Sequence, residues 1–419
     1  MIQYIKENIL ASRIYIKIMI KWLVCGSLTG ILCGGVGIAF HYAVSYVTSF
    51  RNQNSYIIYG LPIAGIIIVF LYKFAKMDAD AGTNMIISSI RSEEKPPIVL
   101  APLIFIGTVL THLCGGSSGR EGAALQIGGS IGSFLGKIVR LDEDDLKVIT
   151  MCGMSAVFSA LFGTPLTATI FCMEVISVGL IYYVAFFPCM ISSLIASWLA
   201  KYFGIMGDHY HIVAVPNTSL ESLAKVAVLA ALCAGLSIVF IVIMHKTHWL
   251  YDKIFTNEYL RIITGGIIII VLTLLVGTND YNGAGMPVIE KAFTGSIRPE
   301  AFLLKIIFTA LTLGAGFKGG EIVPTFFIGA TFGNLVASII GLNTGFGAAI
   351  GLVAMFCSVV NCPIASIFLS IELFGSSNMV LFAIACGISY LLSGYYGLYS
   401  SQKIVYSKLR PKYIDRSTK

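Results

Sequence analysis

Charge is scarce in this chain of 419 residues: Asp, Glu, Lys and Arg together make up 12% of it, against 57% hydrophobic residues. Soluble globular domains carry about twice that charge. With a mean hydropathy of +0.86, the deficit excludes a water-soluble domain and leaves a polytopic membrane protein. Between Lys318 and Lys403 there is no lysine or arginine at all. No basic patch with interleaved aromatics occurs, so the net charge of +7 reads as membrane topology and not as nucleic-acid binding. C-x-x-C pairs are also missing. The ten cysteines lie mostly in apolar segments as small buried hydrophobes, which argues against a disulfide framework or a zinc site. The six histidines show no paired spacing beyond Asp208-His209-Tyr210-His211, which reads as a solvated loop. No metal and no cofactor is expected. The N-terminus lacks the shape of a signal peptide, because the apolar run Ile16 to Val47 exceeds an h-region and should persist as a spanning helix.

What the chain does contain is glycine, 43 residues of it, concentrated at breaks between apolar runs. The segment Gly115 to Gly132, GGSSGREGAALQIGGSIG, places Glu121 where a helix should begin. Irregular backbone at membrane depth is tolerated only where protein or a water-filled path satisfies it, and an ionisable residue there is a functional candidate by default. Around it the chain reads as crossings over Trp22 to Val47 and Tyr56 to Phe74, an aqueous boundary at Lys73, Lys76, Asp78 and Asp80, and a short helix opening at Gly82-Thr83-Asn84-Met85. Ile98 to Cys114 and Ala123 to Ile138 follow. Next come Val148 to Phe162 and Leu166 to Ile176, split at Gly163-Thr164-Pro165, and then Ile181 to Trp198. After a polar connector, Asp208 to Glu221, the pattern recurs. Val226 to Met244 and Ile262 to Val276 cross, Phe302 to Leu313 leads to a second glycine stretch, and Thr325 to Ile340 continues from it. Phe346 to Val360 breaks at Asn361-Cys362-Pro363 before Ile364 to Leu373, and Val380 to Leu392 precedes a short terminal helix after Gly397.

Pro165 and Pro363 are each followed nine residues later by a glutamate, Glu174 and Glu372, and glycine-flanked Glu121 and Glu321 are 200 apart. Matching helix breaks in two halves point to a transporter site at a repeat interface. The expected fold is therefore all-α, one transmembrane domain over residues 1–419 with two inverted-topology repeats of broken helices, one over about 14–205 and one over about 222–408. Lysines and arginines gathered at both ends put both termini in the cytoplasm of an inner-membrane, multi-pass protein.

Helix N-termini carry about half a positive charge and unpaired N–H donors. Those at Thr83, Glu121 and Glu321 could together hold an anion without a buried cation, and conduction needs such a weak hold. Thr83 adds a hydroxyl donor, or simply caps its helix; Asn84 adds an amide. A carboxylate at Glu121 mimics a bound anion, and one removed from water readily takes up a proton, so Glu121 is the candidate gate and proton carrier. The alternative for it is a structural carboxylate paired with Arg120. Glu321 reads equally as anion-site acid, proton partner or buried structural acid, whereas Glu174 and Glu372 read as structural hydrogen-bonding groups. Tyr399 offers a phenolic donor or an interfacial anchor. A rival class, an intramembrane serine protease, finds G-x-S-x-G at Gly115 to Gly119. It needs a histidine base on a neighbouring helix, and His209, His211, His245 and His248 fall in loops or at helix ends.

These residues carry a resemblance to the CLC family of chloride channels and anion/proton antiporters. Gly119-Arg120-Glu121-Gly122 resembles its G-K/R-E-G-P motif, Gly320-Glu321-Ile322-Val323-Pro324 its G-x-F-x-P motif, Gly82-Thr83 its serine motif, and Tyr399 its pore tyrosine. The resemblance implies Glu121 as gate and Thr83, Asn84, Gly119, Arg120, Gly122, Glu321, Ile322, Val323 and Tyr399 as anion-site residues. Departures are Ala123 for the proline after the gate, Ile322 for the phenylalanine, and Val175 where chloride/proton antiporters carry an inner proton glutamate. With Gly319-Gly320-Glu321 and Phe326-Phe327-Ile328-Gly329, they resemble the bacterial branch that exchanges fluoride for protons, although Thr83 replaces its usual methionine. The resemblance implies a homodimer of independently conducting subunits with fluoride and protons as substrates, or, as the alternative, a chloride-preferring antiporter or channel.

Overall fold

A computed structural model describes residues 2–77, 82–92, 94–207, 209, 210, 212, 216–377 and 379–419, with side chains from residue 13 onward. Asp78, Asp80, Asp208 and His211, read above as boundary or connector residues, lie outside the described residues.

Among the described residues, sixteen α-helices fall into two sets of eight that correspond one to one in chain order. The first set is α1 (Ile2–Gln53), α2 (Leu61–Phe74), α3 (Thr83–Arg91), α4 (Leu100–Leu113), α5 (Glu121–Ile138), α6 (Glu143–Phe162), α7 (Pro165–Glu174) and α8 (Phe186–Tyr202). The second is α9 (Leu220–Ile254), α10 (Glu258–Val276), α11 (Met286–Thr294), α12 (Ala301–Gly314), α13 (Ile322–Ile340), α14 (Thr344–Val360), α15 (Pro363–Phe374) and α16 (Met379–Leu392). Helices α3 and α11 are both 9 residues long, and α4 and α12 both 14, so even the short members are duplicated. Helix α11 was not expected from sequence; only its correspondence with α3 makes it intelligible.

The sets are inverted. Lys21, early in α1, pairs with Asp145 at the start of α6, and Arg91 at the end of α3 donates to the Ser401 carbonyl, so both chain ends meet one face, called here the terminal face. His245, late in α9, contacts the Leu398 carbonyl on that same face at 3.2 Å. Helix α1 thus starts from the terminal face, and its counterpart α9 ends on it.

The breaks have local causes. Helix α6 stops at Gly163 and α14 at Asn361, both left-handed at φ 68° and 59°. Proline then occupies the first position of α7 and of α15, where its missing N–H is harmless. Close packing rests on glycine: a Cβ on Gly128 would lie 2.1 Å from the Gly153 carbonyl oxygen, and one on Gly329 2.4 Å from that of Gly351. The pairs α5/α6 and α13/α14 therefore touch backbone to backbone, as small residues allow inside a bilayer.

The short terminal helix expected after Gly397 is replaced by strands. Lys403–Tyr406 (β2) pairs in parallel with Ser177–Val178 (β1) and antiparallel with Tyr413–Ser417 (β3). Ile404 and Val405 are β-branched, and Ile404 is the buried residue of β2, which suits a pleated surface better than a helix.

Candidate functional site

At the centre, the glycine loops that precede α5 and α13 meet. The Gly119 N–H donates to the Gly320 carbonyl at 2.7 Å and the Gly320 N–H to the Gly119 carbonyl at 2.8 Å, a two-residue antiparallel bridge between the repeats. Side chains are excluded there, since a Cβ on Gly320 would lie 2.4 Å from the Gly122 nitrogen.

The bridge corrects the pairing read from sequence. Because Gly119 matches Gly320, the counterpart of Glu321 is Arg120, and that of Glu121 is Ile322. Backbone angles agree: Arg120 and Glu321 are the N-caps of α5 and α13, at φ −113°, ψ −10° and φ −100°, ψ −11°. The two glutamates therefore stand one step out of register on opposite repeats.

Glu121 is wholly buried, whereas Glu321 is half-buried with its Oε2 out of reach of solvent. Glu121 folds back on its own loop, where its Oε2 accepts from the Arg120 N–H at 2.9 Å and its Oε1 lies 3.7 Å from Arg120 Nε. The Arg120 guanidinium reaches on to His41 Nδ1 at 3.0 Å and the Leu161 carbonyl at 3.4 Å. Gly122 forms a cradle: a Cβ added there would stand 3.2 Å from Thr83 Oγ1 and 3.3 Å from Glu321 Oε2. The first intrahelical donors are Ala124 in α5 and Thr325 in α13. The N–H groups of residues 121–123 and of Ile322 and Val323 precede them and have no carbonyl partner within their helices; those of Glu121 and Val323 face the Glu121 carboxylate.

Among the described residues, five buried polar atoms here have no hydrogen-bond partner: Ser118 Oγ, Glu121 Oε1, Gln126 Oε1, Glu321 Oε2 and the Tyr399 hydroxyl. Groups so buried are ordinarily satisfied, so the cluster is built around something other than protein. It presents acids, hydroxyls and amide N–H groups together, which suits a small anion, a proton and water.

The structure places the remaining candidates as follows. Thr83 opens α3, but the capping position is Gly82 and no side chain caps it. The Thr83 hydroxyl instead donates to the Gly122 carbonyl at 3.4 Å and accepts from Gln126 Nε2 at 3.3 Å. Asn84 is turned to the C-terminal segment, its Oδ1 accepting from the Ser401 N–H at 3.0 Å. Gly119 has its amide committed to the bridge. Tyr399 is buried on a non-helical loop whose carbonyl accepts from the Thr418 hydroxyl at 2.8 Å and the Gln402 N–H at 2.9 Å. Gln402, wholly buried, donates onward to the carbonyls of Val175 and Val360, both at 2.9 Å. The C-terminal segment thus holds Tyr399 in place.

Glu174 and Glu372 are structural, as expected, and in a reciprocal way. Glu372, ending α15, accepts from the N–H groups of Leu166 and Thr167 at 2.9 and 2.8 Å and from the Thr167 hydroxyl at 2.6 Å. Glu174, ending α7, accepts from Ile364 and Ala365 at 3.2 and 2.9 Å. Each repeat supplies the anion for the other's helix N-terminus.

Sequence reading missed a buried polar group set beside the bridge. Lys305, wholly buried in α12, donates to the Tyr281 and Gly283 carbonyls at 3.2 and 2.7 Å. Arg51 donates to the His112 carbonyl at 3.0 Å, and the His112 ring nitrogen contacts the Gly119 carbonyl at 3.3 Å. A lone lysine inside the apolar run Phe302 to Leu313 was the available signal. Ser118, Gln126 and His112 carried none, since single polar residues beside glycines have no spacing to read.

A helical membrane bundle whose two inverted halves join their helix starts around unpartnered acids and N–H donors is a transport protein for small anions. The chain belongs to the CLC family, and the voltage gated chloride channel family matches it over residues 63–394. A chloride/fluoride channel protein of Pseudomonas syringae pv. tomato is 38% identical, over 93% of this chain and 87% of that one. An H+/Cl− exchange transporter of Vibrio parahaemolyticus is 26% identical, over 86% and 83%. Among solved structures, a crystal structure of a CLC-type fluoride/proton antiporter matches with a TM-score of 0.88 at 31% identity, covering 91% of this chain and 97% of that one. A slow cyanobacterial Cl−/H+ antiporter matches with 0.77 at 19% identity, over 89% and 94%, a likeness of fold alone.

Proposed function

We propose that this chain exports fluoride from the cell in exchange for protons, with Glu121 as gate and proton carrier and Glu321 as a second acid of the anion site. The observation that carries the reading is wholly buried Glu121 beside the Gly122 cradle that Glu321 Oε2 reaches from the opposite repeat, each acid with a buried carboxylate oxygen that has no hydrogen-bond partner. Two carboxylates in one desolvated place repel each other, and a proton relieves that repulsion. A protonated carboxyl is a strong donor, and fluoride, the smallest and most basic halide, is the anion best matched to a short, strong hydrogen bond from it. Acid and anion are thereby tied together, which is what coupling requires.

In the exchange cycle, ionised Glu121 occupies the anion position against the N–H groups of α5. Taking up a proton, it leaves those donors to an incoming anion, which the Thr83 hydroxyl and the Ile322 and Val323 amides also receive. Losing the proton, it returns and displaces the anion. The Arg120 guanidinium, drawn toward His41, keeps a cation near Glu121 without closing on the anion position.

The antiporter structure at 31% identity supports fluoride, and the relative named for both anions is consistent with it. The second reading, chloride exchange, is favoured by the more distant H+/Cl− transporter. The terminal face, with Lys95, Arg91 and Lys147 around its cavity, supports a cytoplasmic placement of both ends in the inner membrane, and the family resemblance supports a homodimer. Purified protein in liposomes loaded with fluoride or chloride separates the readings: fluoride should leave faster and an opposed proton gradient should drive it uphill. Faster chloride loss would overturn the anion assignment, and no uphill movement would overturn exchange.

A further inference from the structure

The terminal face carries a cavity of about 210 Å³ between the end of α3, the loop into α4, the later turns of α5 and the first turns of α6. Arg91, Lys95 and Lys147 line it, with Glu143 at its rim. Lys147 pairs with Asp144 at 3.0 Å and Glu143 is exposed. Three cations thus meet two acids, and the wall keeps a net positive charge.

The inner wall is built of donors. Ser133, wholly buried, lines the cavity with a hydroxyl that has no hydrogen-bond partner, and Arg91 Nε is likewise buried and unpartnered. Groups so buried are ordinarily satisfied. The nearby Ser89 and Thr150 hydroxyls already donate to the Ile86 and Leu146 carbonyls, both at 2.7 Å, and so offer no proton to a ligand. A water takes up about 30 Å³ of the liquid, so the space exceeds what two orphan donors need for hydration. Beside it the surface is apolar: Ile98 and Val99 follow the lining residues Lys95 and Pro96, while Phe134 and Ile138, one turn apart on α5, flank Ser133. All four are more than a third exposed.

We infer that this cavity binds the headgroup phosphate of an anionic phospholipid. Basic pockets between membrane helices hold such headgroups, and guanidinium, ammonium and hydroxyl donors form charge-assisted hydrogen bonds with phosphate oxygens. Arg91 Nε and Ser133 Oγ supply the inner donors and Lys95 the outer charge. Ile98, Val99, Phe134 and Ile138 give the acyl chains an apolar surface. One negative charge, that of a phosphodiester, suits the small positive excess of the wall better than the double charge of free phosphate. Arg91 also donates to the Ser401 carbonyl, and the Ser401 N–H donates to Asn84 Oδ1 at 3.0 Å. A lipid held on Arg91 therefore fastens the end of α3 to the C-terminal segment and raises the stability of the folded protein.

Full-length protein, stripped of lipid in an uncharged detergent, is titrated with short-chain phosphatidylglycerol, with the diacylglycerol of the same chains and with inorganic phosphate. Binding is followed by calorimetry and by melting temperature. Phosphatidylglycerol should bind saturably and raise the melting temperature, and the diacylglycerol, which has the chains without the phosphate, should not. Lys95→Glu, at an exposed position, should weaken phosphatidylglycerol binding about tenfold or more, and Ser133→Ala about threefold, the scale of one lost charge-assisted and one ordinary hydrogen bond. Lys95→Arg should keep the affinity within about twofold, since the charge remains. Should Lys95→Glu not fold, Lys95→Gln decides, with a loss of about threefold or more expected. Unchanged affinity in both the Lys95 charge variant and Ser133→Ala would overturn the site, as would no saturable binding or equal binding of the diacylglycerol. Inorganic phosphate binding as tightly as the lipid, and weakened by the same substitutions, would overturn the lipid assignment in favour of a free phosphate.

Discussion

The starts of α5 and α13 are built on one plan and finished differently. Each follows a glycine loop, each loop contributes one strand of the Gly119/Gly320 bridge, and each N-cap has nearly the same backbone angles. At the cap, one repeat carries the cation Arg120 and the other the acid Glu321. One step on, the first carries the acid Glu121 and the second the apolar Ile322. Duplication thus produced two equivalent places, and divergence put unlike charges in them. Glu121 is held against its own loop and cation. The Glu321 backbone carbonyl accepts from the Thr325 hydroxyl at 2.8 Å, while its Oε2 faces the cradle unpartnered. A site of this kind can be asymmetric, as exchange needs, inside a nearly symmetric frame.

The sharpest way to break the comparison is to neutralise each acid in turn. Glu121→Gln should abolish proton-coupled fluoride flux, a fall of about 100-fold or more for loss of the acid–base group. Glu321→Gln should lower it about tenfold, chiefly through weaker fluoride binding measured by calorimetry. Equal effects on both quantities would mean that the two places never diverged in role.

The cradle comes next. Gly122→Ala forces a methyl to within 3.0 Å of Gly320 Cα and should destabilise by about 1–3 kcal/mol, the usual range for overpacking. Gly35→Ala, with nothing within 4 Å, should leave the melting temperature unchanged or slightly raised.

The reciprocal caps test whether the halves depend on each other equally. Glu372→Ala strands two N–H groups and a hydroxyl, and Glu174→Ala strands two N–H groups. Losses of about 2 kcal/mol and somewhat less are expected in denaturation midpoints, on the scale of hydrogen bonds to charged groups. Thr418→Val, which removes one of the two donors to the Tyr399 carbonyl, should cost about 1 kcal/mol and alter fluoride affinity without touching the anion.

The smallest effect is a pH dependence. Lys408, beyond the last helix, donates to Asn361 Oδ1, the Tyr390 carbonyl and Ser393 Oγ. Burial lowers its pKa from the ordinary 10.5 to about 8. Between those values the unfolded chain holds a proton that the folded chain has released, so this lysine's contribution makes stability rise with pH across that window. Melting temperatures of the unaltered protein and Lys408→Met, compared from pH 7.5 to 10, should show the unaltered protein gaining on the variant.

Most of the helical frame was legible in the sequence because bilayer burial demands long apolar runs and makes breaks conspicuous. The positions of Pro165, Pro363, Gly163 and Asn361 located the half-helices, and the proline-to-glutamate spacing located the caps. The end of the chain was misread because Ile404 and Val405 look apolar in either conformation, and only their pairing with Ser177 and Val178 selects strand. The register of the glutamates was misread by one residue, since counting along a chain does not reveal which glycine faces which. Lys305 and Gln126 entered the site through neighbours more distant in sequence, Tyr281, Gly283 and Thr83.

The amino-acid sequence alone determined that this is a duplicated membrane helix bundle, with acids placed at helix starts, because hydropathy, glycine and proline act locally on the backbone. Tertiary structure alone decided that Glu321 Oε2 reaches Gly122, the residue after Glu121, that Arg120 and not Glu121 is the counterpart of Glu321, and that each repeat caps the other. Those facts depend on contacts between residues some 200 positions apart. Such contacts are fixed by packing in three dimensions and leave little local trace in the chain.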